Sequence, residues 1–543
     1  MPKSEIGGAS SPGAMTAVVT MSAEAERSPY GEKDGTFLKG EKLMKRITVL
    51  LLTLVMVFMT TICFGQPKGE LVACQGAEVN SLDTARHNSI TDINYALQVF
   101  DMLYYRDGQG APQPRLAISH KIINDTTWEF EIRKGVKFHN GTVMTAKDVK
   151  FSIDRMTDPQ TKAFFAPFYS TIGEVKVIND STIQIITKVP DPLLLKRLSL
   201  NLAIFPSDFF KEKGAEAFFQ NPVGTGPFKF VSWTRNDRMV FEAFEGYWDG
   251  APKVKRLVIR PVPEVAARLA ELQTGNADII TNIPPFLVPQ VKNSPNATVQ
   301  SIPSGRVMFL YVNCLAEGPL KNKMVRQALN YAIDKKSIID NILKGSGVPM
   351  AVNLTPYHFG HDASLTPYPY DPAKAKKLLA EAGYGSGLKL VFNTPSGRYL
   401  LDKEVSEAIS GMFNAVGVQT DLKVLEWGTY TQILTGKRLQ DIGFIGWGNT
   451  LHDADGNFQP YFIPESAFSY YSTPQLAEKI NKARTTMDEK KRLDYYKEIQ
   501  REIFEDAPLV FLYQQIDHYG VSKKINGFQV RGDEQFVLYN VSK

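Results

Sequence analysis

The chain runs to 543 residues, 43% hydrophobic and 22% charged, with a net charge of +5. This is the balance of an ordinary globular protein with room for two or three domains. The charge is spread along the chain rather than massed in basic runs with interleaved aromatics, which argues against nucleic acid as a partner.

Residues 1–43 are polar, Gly/Ser-rich and without periodicity, and read as a disordered or spurious extension ahead of a true start at Met44. In residues 44–65, Lys45 and Arg46 precede the apolar run from Ile47 to Met59, and small residues at Cys63 and Gly65 precede Gln66. That is the layout of a secretory signal peptide. The run falls short of the roughly 20 apolar residues that a membrane span needs. A periplasmic location is expected. A lipid anchor at Cys63 is the lesser alternative, because Ile62 before it is not small. After the leader only Cys74 and Cys314 remain, and two cysteines alone do not define a disulfide; two buried free thiols fit equally well.

Strand-like and helix-like segments then alternate. Glu70 to Cys74 reads as a short buried strand, and Trp128-Glu-Phe-Glu-Ile132 as a half-buried one. Thr145 and Asp148 form a capping-box pattern that opens a helix. Glu264 to Gln273 has helical spacing and stops at Gly275, and Met324 to Ile333 is amphipathic. Asp371-Pro372 begins a helix ending at Gly383. Large mixed sheets flanked by helices follow from this alternation, so the fold class is α/β with more than one lobe.

The usual catalytic signatures are missing. There is no phosphate loop, no zinc-protease His-Glu-x-x-His and no nucleophile elbow, and Pro227 spoils the dinucleotide pattern begun by Gly224-Thr225-Gly226. His358, His361 and Asp362 are the nearest approach to a metal cluster and are read as solvated loop residues. Asp453 and Asp455 lie two residues apart, too close to flank a glycosidic bond from opposite sides. No catalytic residue, metal ligand or cofactor is assigned.

Several ordered blocks resemble one family. Trp128-Glu-Phe-Glu-Ile-Arg-Lys-Gly-Val-Lys-Phe-His-Asn-Gly141 leads, followed by Pro222-Val-Gly-Thr-Gly-Pro-Phe228 and Glu245-Gly-Tyr-Trp-Asp-Gly-Ala-Pro252. Val325-Arg-Gln-Ala-Leu-Asn-Tyr-Ala-Ile-Asp334 and Tyr370 to Tyr384 complete the set. They resemble the extracellular solute-binding proteins of the peptide/nickel type that serve ATP-binding-cassette importers, nearest to dipeptide- and glutathione-binding members. The resemblance implies two lobes joined by a hinge, with an extra domain inserted in the first. Residues 66–101, 221–303 and 516–543 are expected in lobe I, 102–220 in the inserted domain and 304–515 in lobe II. The crossing strands are expected near 307–311 and 509–513.

The same resemblance implies a monomer that encloses a small peptide-like ligand between its lobes and hands it to a permease of the inner membrane. A nickel chelate, an opine or an oligosaccharide is the alternative ligand, and a secreted hydrolase the remote alternative. Arg398 aligns with the arginine that holds a ligand carboxylate in dipeptide-binding relatives, with Tyr399 beside it. Peptide-binding relatives place an amine-binding aspartate three residues after a tryptophan. Here, in Trp447-Gly448-Asn449-Thr450, that position is Thr450. Asp453 or Asp455 is then expected to replace it in the ligand wall. Trp427 and Trp447 are candidates for stacking, and Asn80 and Ser81 are expected at the cleft rim from lobe I.

Overall fold

The computed structural model describes residues 69–86 and 89–543. The leader, the start at Met44 and the alternative anchor at Cys63 lie outside the described residues. Within them, local signals set the elements. The alternation at 128–132 forms the strand Thr127–Ile132, with Trp128, Phe130 and Ile132 turned inward. The helix Ala146–Thr157 is capped by Asp148, whose carboxylate accepts from the Thr145 N–H at 2.8 Å. The helix Val265–Thr274 stops at Gly275, which adopts a left-handed φ of 81°. The helix Pro372–Glu381 starts where the Asp371 carboxylate accepts from the Lys374 N–H at 2.8 Å.

Five strands position the site: β1 (Glu70–Gln75), β2 (Ala297–Val312), β3 (Leu388–Pro395), β4 (Ile442–Gly448) and β5 (Leu509–Ser522). Among the described residues they share one mixed sheet of eleven strands. Its order is Val418–Leu425, β3, β4, β2, β5, Ile279–Ile280, β1, Arg256–Pro261, Arg238–Ala243 and Phe228–Thr234, with Gly347–Pro349 paired separately to β5. Strands β2 and β5 are long and antiparallel. Residues 297–303 pair with 516–522 and residues 307–311 with 509–514, and the register slips between the two halves, at Ser304-Gly305-Arg306. On one side of the slip β5 joins Ile279–Ile280; on the other β2 joins β4. The two strands link the two halves of the sheet.

The hydrophobic cores follow this division. The largest draws only on residues 307–513. A second unites residues between 71 and 279 with residues from 519 onward, and a third lies within 72–299. A fourth surrounds a four-stranded antiparallel sheet of Ala117–Asn124, Thr127–Ile132, Thr182–Thr187 and Ile172–Asn179. Gly224 and Gly226 dock this region, because a Cβ at either would collide with the Val99 carbonyl at the end of the helix Ile90–Val99.

Cys74 and Cys314 are free thiols, so no disulfide joins them. Burial pushes the Cys74 thiol up to about 11. The reading of His358 and Asp362 as solvated needs correction, since both are buried at 3% exposure. His358 bonds the Thr355 hydroxyl at 2.8 Å, and Asp362 pairs with Arg501 at 3.0 Å. No cluster of metal-ligating side chains occurs among the described residues.

Candidate functional site

The loop after β4 is shaped from within. Asn449 is buried; its amide donates to the Asp453 carbonyl at 2.5 Å and its carbonyl accepts from the Leu451 N–H at 3.0 Å. Trp447 lies on the face of β4 opposite Gly446 and Gly448, against Tyr461 and Phe468, with its indole N–H bonded to the Gly456 carbonyl at 2.9 Å. Both residues hold the loop.

The expected free carboxylates are not there. Asp453 is fully buried, and both its oxygens accept from Arg492, at 2.9 and 2.5 Å. Lys196, from the region of the four-stranded sheet, adds a contact of 3.1 Å and also donates to the His452 carbonyl at 2.6 Å. Burial alone would raise the Asp453 carboxyl, but Arg492 and Lys196 outweigh it and bring it down to about 2. Asp455 is 3% exposed and pairs with Arg484 at 2.7 Å, while burial raises its carboxyl. Neither acid is left over for a solute. Two charges so deep need their partners, so this is a clasp and not a ligand wall. The Thr450 carbonyl accepts from Arg106 at 2.5 Å, and Leu451 enters the core around the four-stranded sheet.

The opposite face of β4 has a different character. Tyr399 donates from its hydroxyl to the Gly446 carbonyl at 3.0 Å. The turn before it is held by Asp402, whose carboxylate accepts from the N–H groups of Gly397, Arg398 and Tyr399 at 3.0, 2.9 and 3.0 Å. Asp402 therefore binds the Arg398 backbone and not its guanidinium. That guanidinium lies 5.2 Å from the Tyr399 ring centre and 5.1 Å from that of Trp427, with no carboxylate in ion-pair range among the described residues. Arg398, Tyr399 and Trp427 lie together, with the backbone of Gly446 against the Tyr399 ring.

Asn80 and Ser81 sit elsewhere. They line a cavity of about 740 Å³ with residues from 215–221 and 230–235, and no residue of 304–515 takes part. Asn80 binds Asp92 at 3.1 Å, and the Ser81 hydroxyl accepts from the Asp83 N–H at 3.0 Å. Residues that pattern reading did not single out are Arg306 and Glu534. Arg306 lies 5.9 Å from the Tyr399 ring centre and 3.4 Å from Glu534. Its position just before the apolar run of β2 was the only available signal.

Comparison with known proteins adds to this geometry. The family described as "Bacterial extracellular solute-binding proteins, family 5 Middle" matches residues 111–469. The chain is 30% identical over 480 residues to the glutathione-binding protein GsiB of Pectobacterium atrosepticum, covering 86% of this chain and 93% of that one. It is 30% identical over 468 residues to heme-binding protein A of Haemophilus influenzae, covering 79% and 84%. The structure of the periplasmic binding protein DppA of Helicobacter pylori, associated with an ABC transporter and solved with the peptide STSA, superposes with a TM-score of 0.74. That match has 26% identity and covers 88% of this chain and 98% of that one.

Proposed function

Because the chain belongs to the bacterial extracellular solute-binding proteins, family 5, we propose that it captures a small peptide-like solute between its lobes. It delivers that solute, chemically unchanged, to an ATP-binding-cassette permease. The leader at 44–65 exports it to the periplasm, where it works as a monomer. The observation that carries the ligand class is the Arg398 guanidinium, flanked by two aromatic rings and with no carboxylate in ion-pair range among the described residues. A guanidinium fork is matched to a carboxylate, and the flanking rings suit the apolar parts of a peptide.

Native mass spectrometry of protein gently released from its own periplasm tests the reading. An intact peptide-like solute is expected; a sugar, an opine or a metal chelate overturns the ligand class. Arg398→Ala is expected to weaken binding of that solute by more than about 2 kcal/mol, read by calorimetry. An unchanged affinity removes Arg398 from the site.

A further inference from the structure

Arg306 occupies the register slip of β2, where the strands pass between the lobes. Its guanidinium and that of Arg398 lie 5.9 and 5.2 Å from the same ring centre, that of Tyr399. A Cβ built on Gly448 would stand 3.7 Å from Arg306 Nη2, so bare backbone forms the floor beneath this guanidinium. Two like charges thus share one aromatic side chain. The surrounding protein first, and the Arg306 charge second, lower the basicity of Arg398.

Burial would lower the basicity of Arg306, but Glu534 foremost holds the guanidinium charged. Glu534, from the C-terminal segment that packs on the first lobe, reaches Arg306 at 3.4 Å, a loose contact for an ion pair. Asp517, the other acid near Arg306, is kept toward its protonated form by burial and by Glu534. Asp402 is consumed by backbone N–H groups. One loosely held carboxylate faces two guanidiniums, and the site stays cationic.

We propose that Arg306 and Arg398 form one acid-recognition site, which selects peptide-like solutes carrying an acidic group besides the terminal carboxylate. The second acid displaces Glu534 from Arg306. This rests on the peptide-like ligand class above and adds to it a charge requirement.

The test is calorimetry on the exported protein, stripped of any co-purified solute, with di- and tripeptides matched in length, one set neutral and one containing glutamate. The glutamate set is expected to bind at least about tenfold more tightly. Arg306→Gln should reduce that ratio to near one. Arg306→Lys, which keeps the charge but loses the fork, should fall between. Glu534→Gln should strengthen binding of the glutamate set, because it removes the competing carboxylate. An unaltered ratio in Arg306→Gln, or no preference in the parent protein while peptides bind, overturns the acid site and leaves the peptide reading standing. If no peptide of either set binds, the peptide reading fails and the acid site falls with it.

Discussion

At the scale of the residue, Asp517 is the group most out of place. It is 5% exposed; one oxygen accepts from the Gln515 amide at 2.7 Å and the other has no hydrogen-bond partner. Burial, and after it the nearby Glu534, pushes its carboxyl from the ordinary 3.8 up to about 7. The native protein therefore binds more protons than the unfolded chain across that window. Its contribution to stability is complete below about pH 4 and is lost as pH rises through 7. Asp517→Asn should match the parent near pH 4 and exceed it at pH 8 by an amount on the order of a few kcal/mol. Denaturant titrations at the two pH values decide this, and parallel profiles for variant and parent would sink it.

Among the elements, the loop from Asn449 to Asp455 is the one whose role the structure changes. Its carboxylates invite a ligand-binding or catalytic reading, yet Asp453 is saturated by Arg492 and Lys196. Asp453→Asn should cost about 3–5 kcal/mol, because it strands a buried guanidinium. Urea unfolding measures it, and a loss below about 1 kcal/mol would mark the pair as dispensable. The contrast shows what sequence can carry. Strand Thr127–Ile132 and helix Ala146–Thr157 were legible because alternation and capping act within a few residues. Family likeness alone singled out Arg398, and nothing local places Trp427 beside it. Nothing local announces that Asp453 meets a partner 39 residues ahead and another 257 behind, or that Glu534 returns 228 residues later to Arg306. Nor does anything local to Asn80 and Ser81 announce that they line a cavity with residues from 215–221 and 230–235.

For the whole molecule, the clasp makes closure partly the protein's own affair. Leu451 buries in the core around the four-stranded sheet, while Lys196 and Arg106 reach the loop carbonyls of His452 and Thr450. These contacts tie the loop to the region of the four-stranded sheet, and we expect them to favour a closed state. Leu451→Ala with Lys196→Ala should leave each lobe folded and shift the protein toward an open form. Small-angle scattering should then record a larger radius of gyration, and solute affinity should fall at least about tenfold. An unchanged radius and affinity would mean that the clasp does not govern closure.

The slip at Ser304-Gly305-Arg306 has a mechanical consequence. Rungs of the ladder lie on both sides of it, 297–303 on one and 307–311 on the other, with none between. We expect a lobe swinging about this gap to leave the rungs on either side intact, with rotation taken up by a few dihedral angles at the pin, Ser304-Gly305-Arg306. Because the pin carries Arg306, whatever pulls on that guanidinium pulls on the axle itself, with no lever in between.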